Sequence, residues 1–213
     1  MSKDISAIRK EYTKHTLDIK DVDKNPLKTF NQWFDEALKS EVMEPNAMCL
    51  ATVDKNGIPA NRILLLKEVD KGFVFYTNYQ SDKGRELEAN PVAAMTFFWP
   101  ELERQVRIQG DVEKISEEMS TAYFQSRPKE SQIGAWTSPQ STVIKNREIL
   151  EQRAKEIANK YKSDKVLPKP KQWGGYRLNA FHIEFWQGRP SRLHDRIAYT
   201  LIDGEWKINR LAP

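Results

Sequence analysis

The sequence predicts a mainly β protein of the α+β class, in which helices pack around an antiparallel sheet or barrel. About seven or eight short segments have the apolar or alternating pattern of strands, and tight turns such as Asn56-Gly57 and Asp203-Gly204 join some of them. These segments do not alternate regularly with helical ones, which disfavours a doubly wound parallel sheet. The length of 213 residues favours one domain.

The elements are predicted in the following order. A helix begins near Pro26, because apolar residues recur after it at spacings of three and four. From residue 48 the apolar period changes to two, which predicts strands at 48–53, 62–69, 72–78, 92–99 and 103–115, with a short helix at 81–91. Two helices follow, one from Ser116 to the interruption at Pro128 and a longer one over 143–161. Strands return at 176–186, at 192–202 and after the Asp203-Gly204 turn.

The composition excludes several classes of function. Lys and Arg number 34 against 30 Asp and Glu, and because the two signs are interspersed, nucleic-acid binding is not expected as the main function. One cysteine, Cys49, and three scattered histidines give neither a disulfide framework nor a metal cluster. No signal-like or membrane-spanning apolar run occurs, so we expect a cytoplasmic protein without membrane partners. Neither of the two common glycine-rich phosphate-binding loops is present. Side chains must therefore supply many of the contacts to any bound phosphate.

The segment RILLLK places a cation at each end of four aliphatic residues. A run this apolar predicts a strand that is buried on both faces, where Arg62 and Lys67 would need anionic partners. Two strand ends whose cations reach out to solvent explain the segment equally well.

A second group of polar residues lies in RLHDR. As a strand, this segment would carry Arg192, His194 and Arg196 on one face, although a solvated strand has the same pattern. Tyr123 and Arg127 are four residues apart in a predicted helix and would be neighbours there. Together these cations and hydrogen-bonding groups suggest a binding site for a flat, anionic ligand.

The segment IEFWQGRPSRLHDR, at 183–196, is similar to the C-terminal signature of the pyridoxine (pyridoxamine) 5′-phosphate oxidases. Further segments resemble that family in the family's own order, namely IRKEY, NRILLLK, FYTNYQSDKG, LERQVRIQG, AYFQSRPKESQIGAW, SPQS and WKINRLAP. The resemblance therefore covers nearly the whole chain.

The resemblance implies a split β-barrel of the FMN-binding type with flanking helices, formed by a single domain over residues 1–213. Residues 1–20 would form a mobile N-terminal segment, and residues 173–213 would carry the substrate signature. It also implies a homodimer with FMN at the subunit interface. The implied reaction oxidises pyridoxamine 5′-phosphate or pyridoxine 5′-phosphate to pyridoxal 5′-phosphate, by hydride transfer from C4′ to flavin N5 and reoxidation by O2 to H2O2.

The same resemblance implies roles for individual residues. Those that would bind FMN are Arg62, Ile63, Leu64, Leu65, Leu66, Lys67, Tyr76, Thr77, Asp82, Lys83, Gln105, Gln140, Ser141, Trp186 and Arg196. Those that would hold the substrate phosphate are Lys67, Tyr123, Arg127 and Ser131. Arg192, Leu193 and His194 would contact the rest of the substrate, with Arg192 and His194 as the catalytic pair. Arg9, Lys10, Glu11 and Tyr12 correspond to an N-terminal segment that can close over the site.

One departure from the family pattern stands out. Where the family commonly has Ser-Arg-Lys, this chain has Ser81-Asp82-Lys83, and an aspartate there would repel a bound phosphate. Weaker FMN retention is therefore expected. Two other interpretations compete with the oxidase: a non-catalytic split-barrel protein that carries or senses flavin or pyridoxal phosphate, and a flavin reductase acting on another substrate.

Overall fold

The computed structural model describes residues 4, 5, 8 and 11–213. Its strands are β1 (Ala47–Val53), β2 (Pro59–Leu65), β3 (Glu68–Val69), β4 (Phe73–Asn78), β5 (Val92–Trp99), β6 (Arg104–Lys114), β7 (Trp173–Gln187), β8 (Asp195–Ile202) and β9 (Glu205–Leu211). Its helices are α1 (Pro26–Lys39), α2 (Asp82–Ala89), α3 (Glu117–Ser126), α4 (Lys129–Thr137) and α5 (Glu148–Lys160). The strand order is β2-β1-β5-β6-β7-β4-β3, with β8 beside β7 and β9 beside β8. The pairs β3–β4, β4–β7, β7–β8 and β8–β9 are antiparallel.

Residue contacts divide the chain into two compact units. The first unit comprises Met1–Cys49, Ala94–Gly110 and Ala180–Pro213. The second comprises Leu50–Ala93 and Asp111–Asn179. None of the helices in the described part of the chain is long and apolar enough to cross a membrane.

In the first unit, α1 packs its apolar face against the sheet. The helix begins at Pro26, and the Asn25 side chain caps it by accepting a hydrogen bond from the Leu27 amide. Phe30 is fully buried, with its ring centroid 5.1 Å from that of Phe97 on β5. Burial of such a side chain contributes about 1.5–3 kcal/mol, so this apolar face holds the helix on the sheet.

In the second unit, β4 is the most buried strand. Phe73, Val74 and Phe75 are fully buried, and β4 pairs with residues 173–178 of β7. A smaller apolar cluster around Phe124 and Trp173 lies beneath α3, α4 and α5. The helix expected from Ser116 begins at Glu117, and Ser116 caps it, because its hydroxyl accepts a hydrogen bond from the Met119 amide.

Three expectations about element boundaries are wrong, one of them the single strand over 62–69, which is divided into β2 and β3. The helix expected over 143–161 begins only at Glu148, because the Asn146 side chain accepts a hydrogen bond from the Ile149 amide at 3.4 Å and asparagine favours helix starts over helix interiors. The strand expected over 192–202 begins at Asp195, and residues 190–192 form a 3-10 turn instead.

The backbone at this turn also overturns the expected strand face. Ser191 and Arg192 have φ values of +55° and +61°, which are incompatible with an extended strand. Arg192 and His194 therefore precede β8, and only Arg196 of the three lies on it. Arg192, His194 and Arg196 do not share one strand face.

The expectation that RILLLK is a strand buried on both faces is also wrong. The strand β2 ends at Leu65, and Lys67 is exposed. Ile63 is 67% exposed in the isolated chain. Within the described part of the chain no element covers the face of β2 that carries Ile63.

Candidate functional site

A cavity of about 300 Å³ lies beside the junction of α3 and α4 in the second unit. Arg127 lines it together with Ser131, Gln140 and Trp173. The Arg127 guanidinium carbon lies 4.8 Å from the centroid of the Trp173 ring, and its Nη1 atom is buried with no hydrogen-bond partner among the described residues. Burial lowers the pKa of this guanidinium. A buried charge without a partner is costly, so this atom marks a place where an anion can bind.

The main chain that carries Arg127 is fixed from both sides. Arg127 is the C-cap of α3, and Pro128 prevents the helix from continuing. The Gln132 side-chain amide donates hydrogen bonds to the carbonyl of Arg127 at 2.8 Å and to that of Gln125 at 3.2 Å. Its carbonyl oxygen accepts from the Leu167 amide at 2.8 Å. Buried Gln132 thus determines the bend that directs Arg127 toward the cavity.

Stacked aromatic rings lie beside Arg127. The ring centroids of Tyr76 and Tyr123 are 3.9 Å apart, and that of Tyr76 is 5.4 Å from that of Trp173. Burial raises the pKa of Tyr76 to about 12 and also raises that of Tyr123, so both phenols keep their protons at neutral pH. Such phenols can donate a hydrogen bond to an anion.

A second cationic group lies at the start of α2. Lys83 is only 5% exposed, and its Nζ atom lies 3.4 Å from the Ser81 hydroxyl. Burial lowers the pKa of Lys83, and the nearby charge of Arg62 lowers it further. Arg62 in turn pairs with Glu86 at 3.0 Å. Asp82 is exposed and pairs with Arg85 at 2.5 Å.

In the first unit, a cavity of about 560 Å³ is lined by Arg189, Arg192 and His194 together with residues of the N-terminal segment. The Nδ1 atom of His194 accepts a hydrogen bond from the Arg189 amide at 3.1 Å. Burial lowers the pKa of His194, and the charge of Arg192 lowers it further. The imidazole is therefore neutral at pH 7, and because Nδ1 is an acceptor, Nε2 carries the proton.

Tyr12 forms one wall of this cavity. Its ring centroid lies 5.7 Å from that of Trp186 and 5.9 Å from that of His194, and both contacts are edge-on. Gly188 leaves the room for it, because a Cβ at this position would come within 2.7 Å of the Cβ and Cγ atoms of Tyr12. Glu11 lines the same cavity.

Arg196 is held in place by a buried carboxylate. Its Nε and Nη2 atoms both donate to Glu184 at 2.9 Å, and Nη1 donates to the Ala212 carbonyl. Arg107, on β6, also reaches Glu184. The bidentate geometry fixes the plane of the Arg196 guanidinium.

The structure thus brings the sequence-predicted residues together in three groups, two of them in the second unit. The first consists of Tyr76, Thr77, Tyr123, Arg127, Ser131 and Gln140, in which the Thr77 hydroxyl lies 3.4 Å from Gln140. The second consists of Arg62, Asp82 and Lys83, and the third, in the first unit, of Glu11, Tyr12, Trp186, Arg192 and His194.

The remaining predicted residues belong to none of these three groups, and they differ in how far they are exposed. Leu66 is buried, Leu64, Leu65 and Gln105 are half-buried, and Ile63, Lys67 and Ser141 are exposed. Leu193 is 69% exposed and points away from the packed core. Arg9 and Lys10 lie outside the described residues.

Sequence reasoning missed Trp173, Arg189 and Glu103. Trp173 supports Arg127 from β7, and Arg189 binds His194 through its main chain. The turn signal Gly188-Arg189-Pro190 could have identified Arg189 as part of a loop. No local pattern signals the other two, because their contacts are with residues distant along the chain.

Comparison with known proteins gives two family matches. The model described as "Pyridoxamine 5'-phosphate oxidase" matches residues 34–161, and that described as "Pyridoxine 5'-phosphate oxidase C-terminal dimerisation region" matches residues 173–213. A pyridoxine/pyridoxamine 5'-phosphate oxidase from Ralstonia pickettii is 56% identical over 211 residues, covering 98% of this chain and 99% of its own. One from Cyanothece sp. is 52% identical over 214 residues and covers both chains fully.

Solved structures agree with this result. PhzG from Burkholderia lata 383, solved with tetrahydrophenazine-1-carboxylic acid, has a TM-score of 0.87 and 30% identity, covering 91% of this chain and 95% of its own. A pyridoxamine 5'-phosphate oxidase-related, FMN binding protein from Nostoc punctiforme has a TM-score of 0.70 at 20% identity. The match covers 90% of this chain and 100% of that protein's chain. The predicted fold class, an antiparallel split β-barrel with flanking helices, is confirmed. The chain belongs to the pyridoxamine 5'-phosphate oxidase family of oxidoreductases.

Proposed function

We propose that this protein oxidises pyridoxamine 5′-phosphate or pyridoxine 5′-phosphate to pyridoxal 5′-phosphate, as a homodimer with FMN. The observation that carries the proposal is the buried Nη1 atom of Arg127, which has no partner among the described residues and lies at a cavity with hydroxyl and amide groups. None of the described residues lining that cavity is acidic. Such a site suits the phosphate of a small substrate.

Four side chains would hold the substrate phosphate in this proposal. Arg127 and Ser131 line the cavity, Tyr123 lies beside it, and Lys67 is the further cation that we assign to the same phosphate. A charge-assisted hydrogen bond contributes about 1.5–3 kcal/mol. Because the phosphate is remote from the carbon to be oxidised, the energy of these contacts can orient that carbon without obstructing it.

The chain also has donors that fit a flavin phosphate. Burial lowers the pKa of Lys83 and the nearby charge of Arg62 lowers it further, so a dianion bound beside Lys83 would stabilise its charged form. Thr77, Gln105, Gln140, Ser141, Trp186 and Arg196 would bind the rest of FMN. When bound, FMN supplies the electron acceptor that no side chain can provide, and O2 restores it with formation of H2O2.

Arg192 and His194 would orient the substrate ring. Both line the cavity of the first unit, and Arg192 is held with a φ of +61°, a conformation that costs about 1–3 kcal/mol in a residue other than glycine. The planar guanidinium can lie flat on a pyridine ring. Neutral His194, with its proton on Nε2, can donate a hydrogen bond to the substrate.

We expect Arg192→Ala and His194→Ala each to lower kcat/KM for pyridoxamine 5′-phosphate by more than tenfold. A tenfold loss corresponds to about 1.4 kcal/mol of transition-state stabilisation, less than one charged hydrogen bond. Steady-state kinetics on the FMN-loaded protein measure the effect, with Lys207→Ala, which alters an exposed residue on β9, as the control. Values within threefold of the wild type for both variants would rule out this role.

A substitution at Asp82 is expected to strengthen FMN binding. Asp82→Arg removes an anion next to Lys83 and adds a cation, so the dissociation constant of FMN should fall about tenfold, given ~1.5–3 kcal/mol for a charged hydrogen bond. The exposed pair of Asp82 with Arg85 is lost at little cost. Titration of the apo-protein with FMN measures the constant. The control is Glu88→Arg, which makes the same charge change at an exposed position of α2. An equal fall in the dissociation constant of FMN in both variants would contradict a local effect of Asp82.

The purified full-length protein provides the test of the proposed function. We expect it to be yellow, to be bleached by pyridoxamine 5′-phosphate without oxygen, and to produce H2O2 when oxygen is added. A yellow protein that does not respond to this substrate would instead favour a flavin or pyridoxal phosphate carrier or sensor, or a reductase acting on another compound.

A further inference from the structure

Glu103 is a buried carboxylate in the turn between β5 and β6, and the reaction outlined above does not use it. The residue is 2% exposed and has a φ of +55°. Its Oε2 atom accepts hydrogen bonds from the amides of Thr13 at 2.8 Å and Lys14 at 3.1 Å. Two main-chain donors on one buried carboxylate form a strong and directional anchor, because charge-assisted hydrogen bonds are about twice as strong as neutral ones.

The same turn also holds the loop that precedes β8. The Glu103 carbonyl accepts hydrogen bonds from the Gly188 amide at 2.8 Å and from the Gln187 side chain at 3.2 Å. The Lys14 ammonium adds a 2.6 Å bond to the Glu101 carbonyl. Through its carboxylate and its carbonyl, Glu103 therefore joins the segment around residue 13 to the loop that begins at residue 188.

Tyr12 lies between the two parts of the chain that Glu103 joins, the segment around residue 13 and the loop that begins at residue 188. It directly precedes Thr13, its ring contacts Trp186 and His194, and its Cβ lies 2.7 Å from where a Cβ on Gly188 would be. A shift of the Thr13 amide by one or two ångströms would move Tyr12 away from Gly188 and open one wall of the cavity that contains Arg192 and His194.

We propose that Glu103 is a positioning residue for substrate binding: by accepting the Thr13 and Lys14 amides, it sets Tyr12 as a wall of the Arg192–His194 cavity. This inference rests on the proposed function for the identity of the substrate, whereas the anchoring itself does not depend on that function. Glu103 does not line the Arg192–His194 cavity, and acts on it through Tyr12.

The test uses three variants of the full-length, FMN-loaded protein. Glu103→Asn tolerates the left-handed backbone but is one methylene too short to reach both amides. Glu103→Gln keeps the length and one acceptor oxygen, and should restore part of the function. Glu101→Asn is the matched control, since Glu101 is exposed on the same turn and bonds to Lys14 through its main-chain carbonyl.

We expect Glu103→Asn to raise the KM for pyridoxamine 5′-phosphate about tenfold with kcat within twofold of the wild type, and Glu103→Gln to have an intermediate KM. Amide hydrogen exchange at Thr13 and Lys14 should be at least tenfold faster, and exchange in α1 unchanged. Combining Glu103→Asn with Tyr12→Ala should raise KM no further than Tyr12→Ala alone, because both act through one contact. Glu101→Asn should match the wild type.

Unchanged exchange at Thr13 and Lys14, or an unchanged KM in an active protein, would overturn the inference. A parallel loss of kcat, FMN binding and thermal stability would also overturn it, because it would show a purely structural role. If the wild type proves inactive on this substrate, the proposed function fails, but the exchange rates still decide whether Glu103 anchors the segment.

Discussion

Replacing Arg127 with methionine is expected to lower kcat/KM for pyridoxamine 5′-phosphate at least 100-fold without destabilising the folded protein. A 100-fold loss is about 2.7 kcal/mol, the equivalent of one or two charged hydrogen bonds to the phosphate. Arg127 is half-buried, its guanidinium packs on Trp173, and its buried Nη1 atom has no partner in the described part of the chain, so a bound anion would be its partner.

The stability of this variant separates a binding role from a structural one. A buried cation that pairs with a protein carboxylate stabilises the fold, and its loss leaves the partner uncompensated. Arg127 leaves no such carboxylate behind, and burial already lowers its pKa. Methionine retains most of the apolar contact with Trp173 while removing the charge. The free energy of unfolding without substrate should therefore be unchanged or increased.

Kinetics and denaturant unfolding of the same preparations measure both effects. Arg147→Met is the matched control, since that arginine is exposed near the start of α5. Pyridoxamine without its phosphate provides a second control, because its turnover should be nearly the same in Arg127→Met and the wild type. A variant that loses stability along with activity, or loses equal activity on both substrates, would contradict the assignment of Arg127 to the phosphate.

The sequence pattern was sufficient for most of the fold. Strand and helix periods located the central elements, since β4, β5, β6 and α3 lie within one or two residues of their expected positions. Local signals also located the starts of two helices, near Pro26 and at Ser116. The errors have a common physical cause: periodicity reports only local conformation, and so it cannot show which face of a strand another element covers, as at exposed Ile63 on β2.

The resemblance identified most residues of the candidate site, but it did not indicate how their side chains are arranged. The resemblance named Arg127 and His194, whereas no pattern indicated that one lacks a partner or that the other accepts a bond from Arg189. The positive φ of Arg192 was equally hidden, because arginine rarely adopts it and the sequence around it reads as a strand. Glu103 was missed because its partners are about ninety residues away.

Arg177, on β7, is expected to be the most important single ion-pairing residue for the stability of the second unit. It is 7% exposed and donates to both carboxylate oxygens of Asp70, with Nε–O distances of 2.9 and 3.0 Å, and to Glu113 at 3.2 Å. Asp70 also accepts the Gly72 amide in the turn before β4. Arg177 thus ties this turn, and the strand that bears Tyr76 and Thr77, to β6 and β7.

Arg177→Met should lower the free energy of unfolding by about 2–3 kcal/mol, somewhat less than the 3–5 kcal/mol of a fully buried pair because Asp70 is partly exposed. Hydrogen bonding to Arg177 lowers the pKa of Asp70, so the stabilisation is complete above the unfolded pKa near 4 and is lost as the pH falls through the lower folded value. Denaturant unfolding at pH 7 and at acidic pH should show the difference between wild type and variant shrinking with acid. Arg85→Met, which breaks the exposed pair with Asp82, should cost less than 1 kcal/mol. A loss from Arg177→Met no larger than that of Arg85→Met would mean that desolvation of Arg177 cancels its ion pairs.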